Sequence, residues 1–278
     1  MIGGVELGGT KCIAAVAENP NSIIDSVRIP TTSPDETLSN LSDFFTSYEI
    51  KSLGIATFGP VCLDSTSEQY GTILSDAKKD WLGINVISVF KKHSIPISID
   101  TDVNASAMAE FKYGSGTEFN SLVYLTVGTG IGGGAVINGS PLHGNLHPEM
   151  GHIIIDGEIE GICRIHRNCL EGLASGPAIE KRWKIPPQKL PIDHEAWELE
   201  SKYLARGISS IIYILSPEII VMGGGVMKQV QLFEMIKTHT SQILNRFVPL
   251  PQITPPKLGE HSGVTGALEM AQSLVEHS

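Results

Sequence analysis

"NSLVYLTVGTGIGGGAVING", residues 120–139, is an apolar run, a glycine turn and a second apolar run, and the chain has already used that pattern in "MIGGVELGGTKCIAAVAE" at 1–18. The β-branched and small apolar residues flanking the glycines read as strands, and the glycines as tight hairpin loops. A strand–turn–strand unit that restarts near residue 120 predicts two related halves, each a sheet with packed helices.

Outward from these hairpins the first half fills in readily. "SIIDSVRIP" continues it as a third strand, and residues 34–48 place Leu38, Leu41, Phe44 and Phe45 at helical spacing behind Pro34. "KSLGIATFGP" predicts a short buried strand running into a Gly59-Pro60 loop. A helix at about 84–93, the strand "IPISID" and a helix over 103–113 follow. The second half carries a loop-rich stretch, a long helix at about 195–215, the strand "EIIVM", a glycine turn and a helix at about 229–247. "QITPPKLGE" holds a short strand at most, and "SGVTGALEMAQSLV" reads as a last helix. The expected division is 1–118, completed by a C-terminal helix at 262–278, and 119–261.

With 278 residues and a 41% hydrophobic share, the chain can build one or two sizeable cores. A net charge of −10 disfavours a nucleic-acid partner, which needs a clustered positive surface. The opening residues lack a basic stretch followed by an apolar one, so no signal peptide is expected. No run approaches the roughly 20 apolar residues of a membrane span. Four cysteines and no export signal point to a reducing cytoplasm. No low-complexity tract suggests a disordered interaction protein.

Three glycine turns stand out: "ELGGTK" at 6–11, "TVGTGIGGG" at 126–134 and "MGGGVM" at 222–227. Such turns bring backbone N–H groups close to phosphate, although any one alone serves most often as a plain hairpin. An apolar strand-like run follows "VGTGIGGG", where a dinucleotide fingerprint needs a helix, and "GGTK" lacks the P-loop spacing. The first two turns are expected to face each other, one from each half. The third, between strand and helix, suits an adenine or ribose.

"GICRIHRNCLEG", 161–172, spaces Cys163, His166 and Cys169 as C-x2-H-x2-C, with His152 eleven residues before the first cysteine. Two thiolates and two imidazoles are a donor set for a closed tetrahedral zinc site. The alternatives are ordinary buried thiols beside surface histidines, or a Cys163–Cys169 disulfide, which a reducing compartment disfavours.

Taken in order, "GGVELGGTK", "DTDVNASAMAE", "TVGTGIGGG", "HPEMGH", "CLEGLASGPAI" and "IIVMGGGVM" resemble the motifs of the ROK sugar kinases, particularly the zinc-containing bacterial fructokinases among them. The resemblance runs from Ile2 to the last helix. It implies an α/β, two-lobed actin-like ATPase (ribonuclease H-like) fold, with sugar and ATP bound between the lobes and the γ-phosphate passed to a sugar hydroxyl. It also implies Mg²⁺, a structural Zn²⁺ and a homodimer.

Carried over residue by residue, the resemblance makes Asp102 the catalytic base, a role that competes with a helix N-cap at the same position. Asp100 is the lesser candidate. Glu6, where most of the family has aspartate, is expected to orient Mg²⁺ through water. Gly8, Gly9, Thr10 and Lys11 form the first phosphate turn, although Lys11 reads equally as a solvated hairpin lysine. Gly128, Thr129 and Gly130 form the second turn, with Pro177 nearby. Gly223, Gly224, Gly225, Val226 and Met227 receive the adenosine. Glu149 and Glu171 accept sugar hydroxyls, each carboxylate being able to take two donors. His152 is assigned to both sugar and metal, and zinc at His152, Cys163, His166 and Cys169 fixes the loop that aims the two glutamates.

Gly59 and Pro60 belong to a loop expected to close over the sugar, with Asn104 supporting the base. Thr101 stands where glucose-preferring relatives carry asparagine, and the lost amide favours fructose over mannose or glucose. A sugar-responsive regulator, also found in the ROK family, would carry a DNA-binding segment ahead of the first phosphate strand, which here starts at Ile2. A catalytically silent sugar-binding module would have lost the base, and Asp102 is present.

Overall fold

In the computed structural model, which describes residues 1–156 and 160–276, the two glycine hairpins are the centres of two sheets. β1 (Ile2–Leu7) and β2 (Lys11–Ala17) pair antiparallel, with Leu7 opposite Cys12 across the loop 8–10. β3 (Ile23–Pro30) extends β2, while β4 (Leu53–Thr57) and β5 (Ile97–Thr101) add in parallel on the other side, giving the order β3-β2-β1-β4-β5. The second sheet repeats this plan. β6 (Ser121–Val127) and β7 (Ile131–Ile137) form the hairpin, β8 (Ser140–Pro141) extends it, and β9 (Ile219–Gly223) and β10 (Gln252–Thr254) pair in parallel beyond β6. The order β8-β7-β6-β9-β10 matches the first sheet strand for strand, as the restart in the sequence predicts. Helices cover these sheets, so the central strands are buried on both faces and read as continuous apolar runs.

α1 (Pro34–Phe44) lays Leu38 and Leu41 on the outer face of the first sheet, against Leu7, Leu53 and Ile55. On the second sheet the corresponding cover is α5 (Ala196–Leu215) and α6 (Gln231–Leu244), whose Trp197, Leu204, Ile208, Leu232 and Ile236 share a core with Val123, Leu125, Ile220 and Met222. The short helices α3 (Leu170–Ala174) and α4 (Gly176–Trp183) sit at the edge of that core.

The inner faces are covered by exchange. α2 (Asp102–Tyr113) leaves the first sheet at β5, yet Val103 and Ala107 pack on Leu122, Tyr124 and Val136 of the second. α7 (Ser262–Glu276) arrives from β10 and returns to the first sheet, where Val264, Leu268 and Ala271 meet Ile2, Ile13 and Ala15. The two helices touch at Gly266, where a Cβ would lie 2.0 Å from the Ala105 carbonyl oxygen, so only glycine permits the approach. The Glu110 carboxylate on α2 accepts from the N–H groups of Ser115, Lys257 and Leu258 and from the Ser262 hydroxyl, fastening both passages of chain between the sheets.

Several element boundaries differ from expectation. The helix expected at 84–93 is a 3₁₀ turn confined to Ser88–His93; the Asn85 side chain, accepting from the N–H groups of Ile87 and Ser88, sets its later start. α1 is continued only by a 3₁₀ turn, Phe45–Ser47. α6 is shorter than 229–247, stopped by Asn245 and Arg246 at positive φ. The end of the helix expected to reach 278 falls on 277–278, outside the described residues. No helix among the described residues is long and apolar enough to cross a membrane.

Candidate active site

The second and third glycine turns touch, and the first is tied to the third through a shared carboxylate. In the first, the Gly8 N–H donates to the Lys11 carbonyl, and Thr31 braces the loop by donating its hydroxyl to the Gly8 carbonyl and its N–H to that of Thr10. Gly9 and Thr10 are exposed at the tip. In the second, the Gly176 N–H donates to the Gly128 carbonyl at 2.8 Å, which sets Pro177 and the start of α4 beside Gly128, Thr129 and Gly130. In the third, Gly224 has φ +94°, and a Cβ there would lie 2.4 Å from the Val127 carbonyl oxygen. Gly225 abuts Gly128, and Val226 and Met227 turn buried into a 3₁₀ turn before α6.

Glu260 joins the first and third turns. It pairs with Lys11 at 3.0 Å, Lys228 at 3.0 Å and Arg28 at 3.3 Å, and the Lys11 and Lys228 ammonium groups hold its carboxyl down at about 2. Lys11 is therefore neither a bare hairpin lysine nor an unengaged cation: its charge is already shared with a carboxylate.

Asp102 opens α2, but the cap belongs to Thr101, whose hydroxyl accepts the Asn104 N–H at 3.1 Å. Thr101 is only 1% exposed, so its side chain is committed to the helix start. Asp102 is thereby released from the capping role, and its Oδ1 accepts the Val103 N–H at 2.9 Å. Burial pushes its carboxyl up to about 7, helped by the negative charges of Glu6 and Glu149. Glu6, at the end of β1, is likewise pushed up to about 7 by burial against the partial opposition of Lys11; Gly263, with no side chain, makes room for its carboxyl group, and its Oε2 lacks a hydrogen-bond partner.

Glu149 follows the same pattern, raised to about 7 by burial and then by Glu171. Glu171 is fixed from the second hairpin, since its Oε2 accepts the Ile131 N–H at 3.0 Å. Acidic groups from both sheets thus face one another, and three of them hold protons near neutrality. Such a cluster titrates as a group and is relieved by hydroxyl donors or a cation.

Two histidines not singled out in the sequence reach the same place. The His147 Nε2 accepts the Val61 N–H at 3.1 Å, and burial holds this imidazole below its usual range, keeping the lone pair available. A Cβ on Gly59 would lie 2.8 Å from His147 Cε1, so the Gly59-Pro60 loop closes directly on this ring. His143 Nε2 lies 2.8 Å from Asp100 Oδ2. Asp100 Oδ1 accepts the Thr101 N–H and the Asn104 amide, which makes Asp100 a scaffold group beside Asp102, while Asn104 Oδ1 is buried without a partner. The spacing of His143, His147 and His152 in "PLHGNLHPEMGH" is the one sequence signal for these residues.

The ligand atoms of His152, Cys163, His166 and Cys169 all lie within 4.8 Å of one another. His152 Nδ1 is 3.7 Å from Cys163 Sγ and 3.6 Å from Cys169 Sγ. With sulfur at about 2.3 Å and nitrogen at about 2.0 Å from a tetrahedral zinc, the two donors stand roughly 3.5 Å apart, so the donor set fits. Burial and the neighbouring Cys163 raise the Cys169 thiol, so a cation is needed for it to ionise. The loop leads directly into α3, which carries Glu171.

The family model described as "ROK family" matches residues 2–274. The chain belongs to the ROK family. Among similar proteins, a putative fructokinase of Bacillus subtilis (strain 168) is 40% identical, over 99% of this chain and 97% of its own length. The fructokinase of Lactococcus lactis subsp. cremoris is 39% identical, over 98% and 97%. A ROK glucokinase from Streptomyces griseus, solved in complex with glucose and AMPPNP, shares the fold at a TM-score of 0.81 with 21% identity, covering 98% of this chain and 99% of that one. The ROK resemblance and the actin-like fold read from the sequence are both borne out.

Proposed function

We propose that this ROK chain transfers the γ-phosphate of ATP to the 6-hydroxyl of D-fructose, with Asp102 as the base. The observation that carries the reading is a carboxyl free of the helix cap and held near pH 7 between acidic neighbours, where it can take up the proton an attacking alcohol releases. Fructose is chosen because relatives about 40% identical over nearly the whole length are named fructokinases.

The hexose sits between the acidic cluster and the Gly59-Pro60 loop, with Glu149 and Glu171 accepting its hydroxyl hydrogens. As the sugar oxygen bonds to the γ-phosphorus, its proton passes to Asp102 and the bond to the β-phosphate oxygen breaks, ADP leaving with the electron pair. The backbone of Gly8–Lys11 and Gly128–Gly130 cradles the polyphosphate, and Gly223–Met227 with Pro177 receives adenosine. Glu6, with its orphaned buried oxygen, would hold hydrated Mg²⁺, which supplies charge neutralisation on the phosphates. Zinc at His152, Cys163, His166 and Cys169 would stiffen the loop leading to Glu171. The two lobes are 1–118 with α7, and 119–261; the working form is a cytoplasmic homodimer.

A coupled ADP-release assay over fructose, mannose and glucose tests the assignment. Fructose is expected to give the highest kcat/KM, by roughly tenfold or more. Background rates with every sugar would reject the kinase reading, and a preference for mannose or glucose would reassign the sugar.

A further inference from the structure

Resting on the fructokinase reading, the geometry points to His143 as a positioning residue: through Asp100 it clamps the strand end that carries Asp102 to the same short segment that carries His147 and Glu149. Segment 142–149 leaves β8 of the second sheet and grips the first-sheet unit twice. His143 Nε2–H donates to Asp100 Oδ2 at 2.8 Å, and His147 Nε2 accepts the Val61 N–H at 3.1 Å. The first grip lies two residues before the base and the second lies one residue beyond the Gly59-Pro60 loop.

Asp100 passes the constraint on. Its second oxygen accepts the Thr101 N–H at 2.7 Å and the Asn104 amide at 2.9 Å, so it holds both the strand end and the first turn of α2, with Asp102 between them. Asn104 Nδ2 lies 3.2 Å from His143 Nε2, but with that nitrogen's hydrogen given to Asp100 the two are both donors, and they are held together only through the shared carboxylate. Asp100 is buried while His143 is half exposed, so the carboxylate depends on this imidazole for its remaining partner. A buried carboxylate stripped of its hydrogen-bond partner relaxes toward water or neutralises, and either response moves the residues bonded to it. The histidine touches no reacting atom; it fixes where Asp102 stands relative to the glutamate on its own segment.

The test is a double-mutant cycle on kcat with fructose, using His143→Ala, Asp100→Asn and the pair, with ADP affinity reporting the folded state. Each single variant is expected to lower kcat by roughly 10- to 100-fold, as sub-ångström misplacement of a reacting group does, while ADP affinity stays at the parent value. The double variant is expected to fall no further than the worse single one, and His143→Gln, whose amide still donates to Asp100, is expected to recover most of the rate. Should the alanine variant not bind ADP, His143→Asn, too short to reach Asp100, takes its place in the cycle. Parent-like kcat in His143→Ala, or losses that multiply in the double variant, would overturn the clamp. A parent inactive on every sugar would instead overturn the fructokinase reading on which it rests.

Discussion

Asp102 is set apart from its neighbours by what it is not bonded to. Thr101 caps the helix and Asp100 is saturated by Thr101, Asn104 and His143, which leaves one carboxylate of this stretch free for a substrate proton. Asp102→Asn keeps the shape and removes the base, and is expected to lower kcat by about 10²–10⁴ with little change in the KM for ATP, measured by ADP release. Because this carboxyl sits near 7, parent kcat/KM is expected to decline below that pH as the base becomes protonated. A variant with more than a tenth of parent kcat would remove Asp102 from the mechanism. Asp102, Glu6, Glu149 and Glu171 were legible because each lies inside a short motif. The roles of His143 and His147 were not, although His147 opens "HPEMGH": their partners, Asp100 and Val61, lie 43 and 86 residues away in sequence, and no local spacing encodes such a contact.

At the scale of elements, the hairpins and the clustering of donors in the Cys/His loop were readable for the same reason, that their defining contacts are short-range. Glycine turns announce themselves, and C-x2-H-x2-C with His152 upstream brings four donors together. The 84–93 segment differs from expectation at its start, where the Asn85 side chain accepts from the N–H groups of Ile87 and Ser88 and delays the helical turn to Ser88–His93, in 3₁₀ form. The metal loop yields a sharp expectation. If zinc fills the loop as proposed, Cys163→Ser is expected to carry far less of it than the parent by elemental analysis and to raise the KM for fructose by roughly tenfold, with the KM for ATP nearly unchanged, because the loop leads to Glu171 and not to the phosphate turns. A full equivalent of zinc in that variant, or equal effects on both KM values, would dissociate the loop from sugar binding.

For the whole molecule, the acidic cleft has a thermodynamic signature. Glu6, Asp102 and Glu149 have ordinary values of 4.5, 3.8 and 4.5, and all rise to about 7 on folding. Between those limits the folded chain binds more protons than the unfolded one, so stability is greatest at the acid end of the window and is lost as pH rises through it. In magnesium-free buffer the melting temperature is therefore expected to fall between about pH 5 and 7.5, and a magnesium–nucleotide complex should shrink that fall; a flat or rising profile would contradict the cluster. The matching strand orders of the two sheets were legible from the repeat, whereas the exchange of α2 and α7 was not, since amphipathic spacing names a buried face and never the surface that buries it. That exchange has a consequence for engineering. Each half lends the other part of its lining, so neither is a free-standing unit, and cutting the chain between them would strip cover from both sheets.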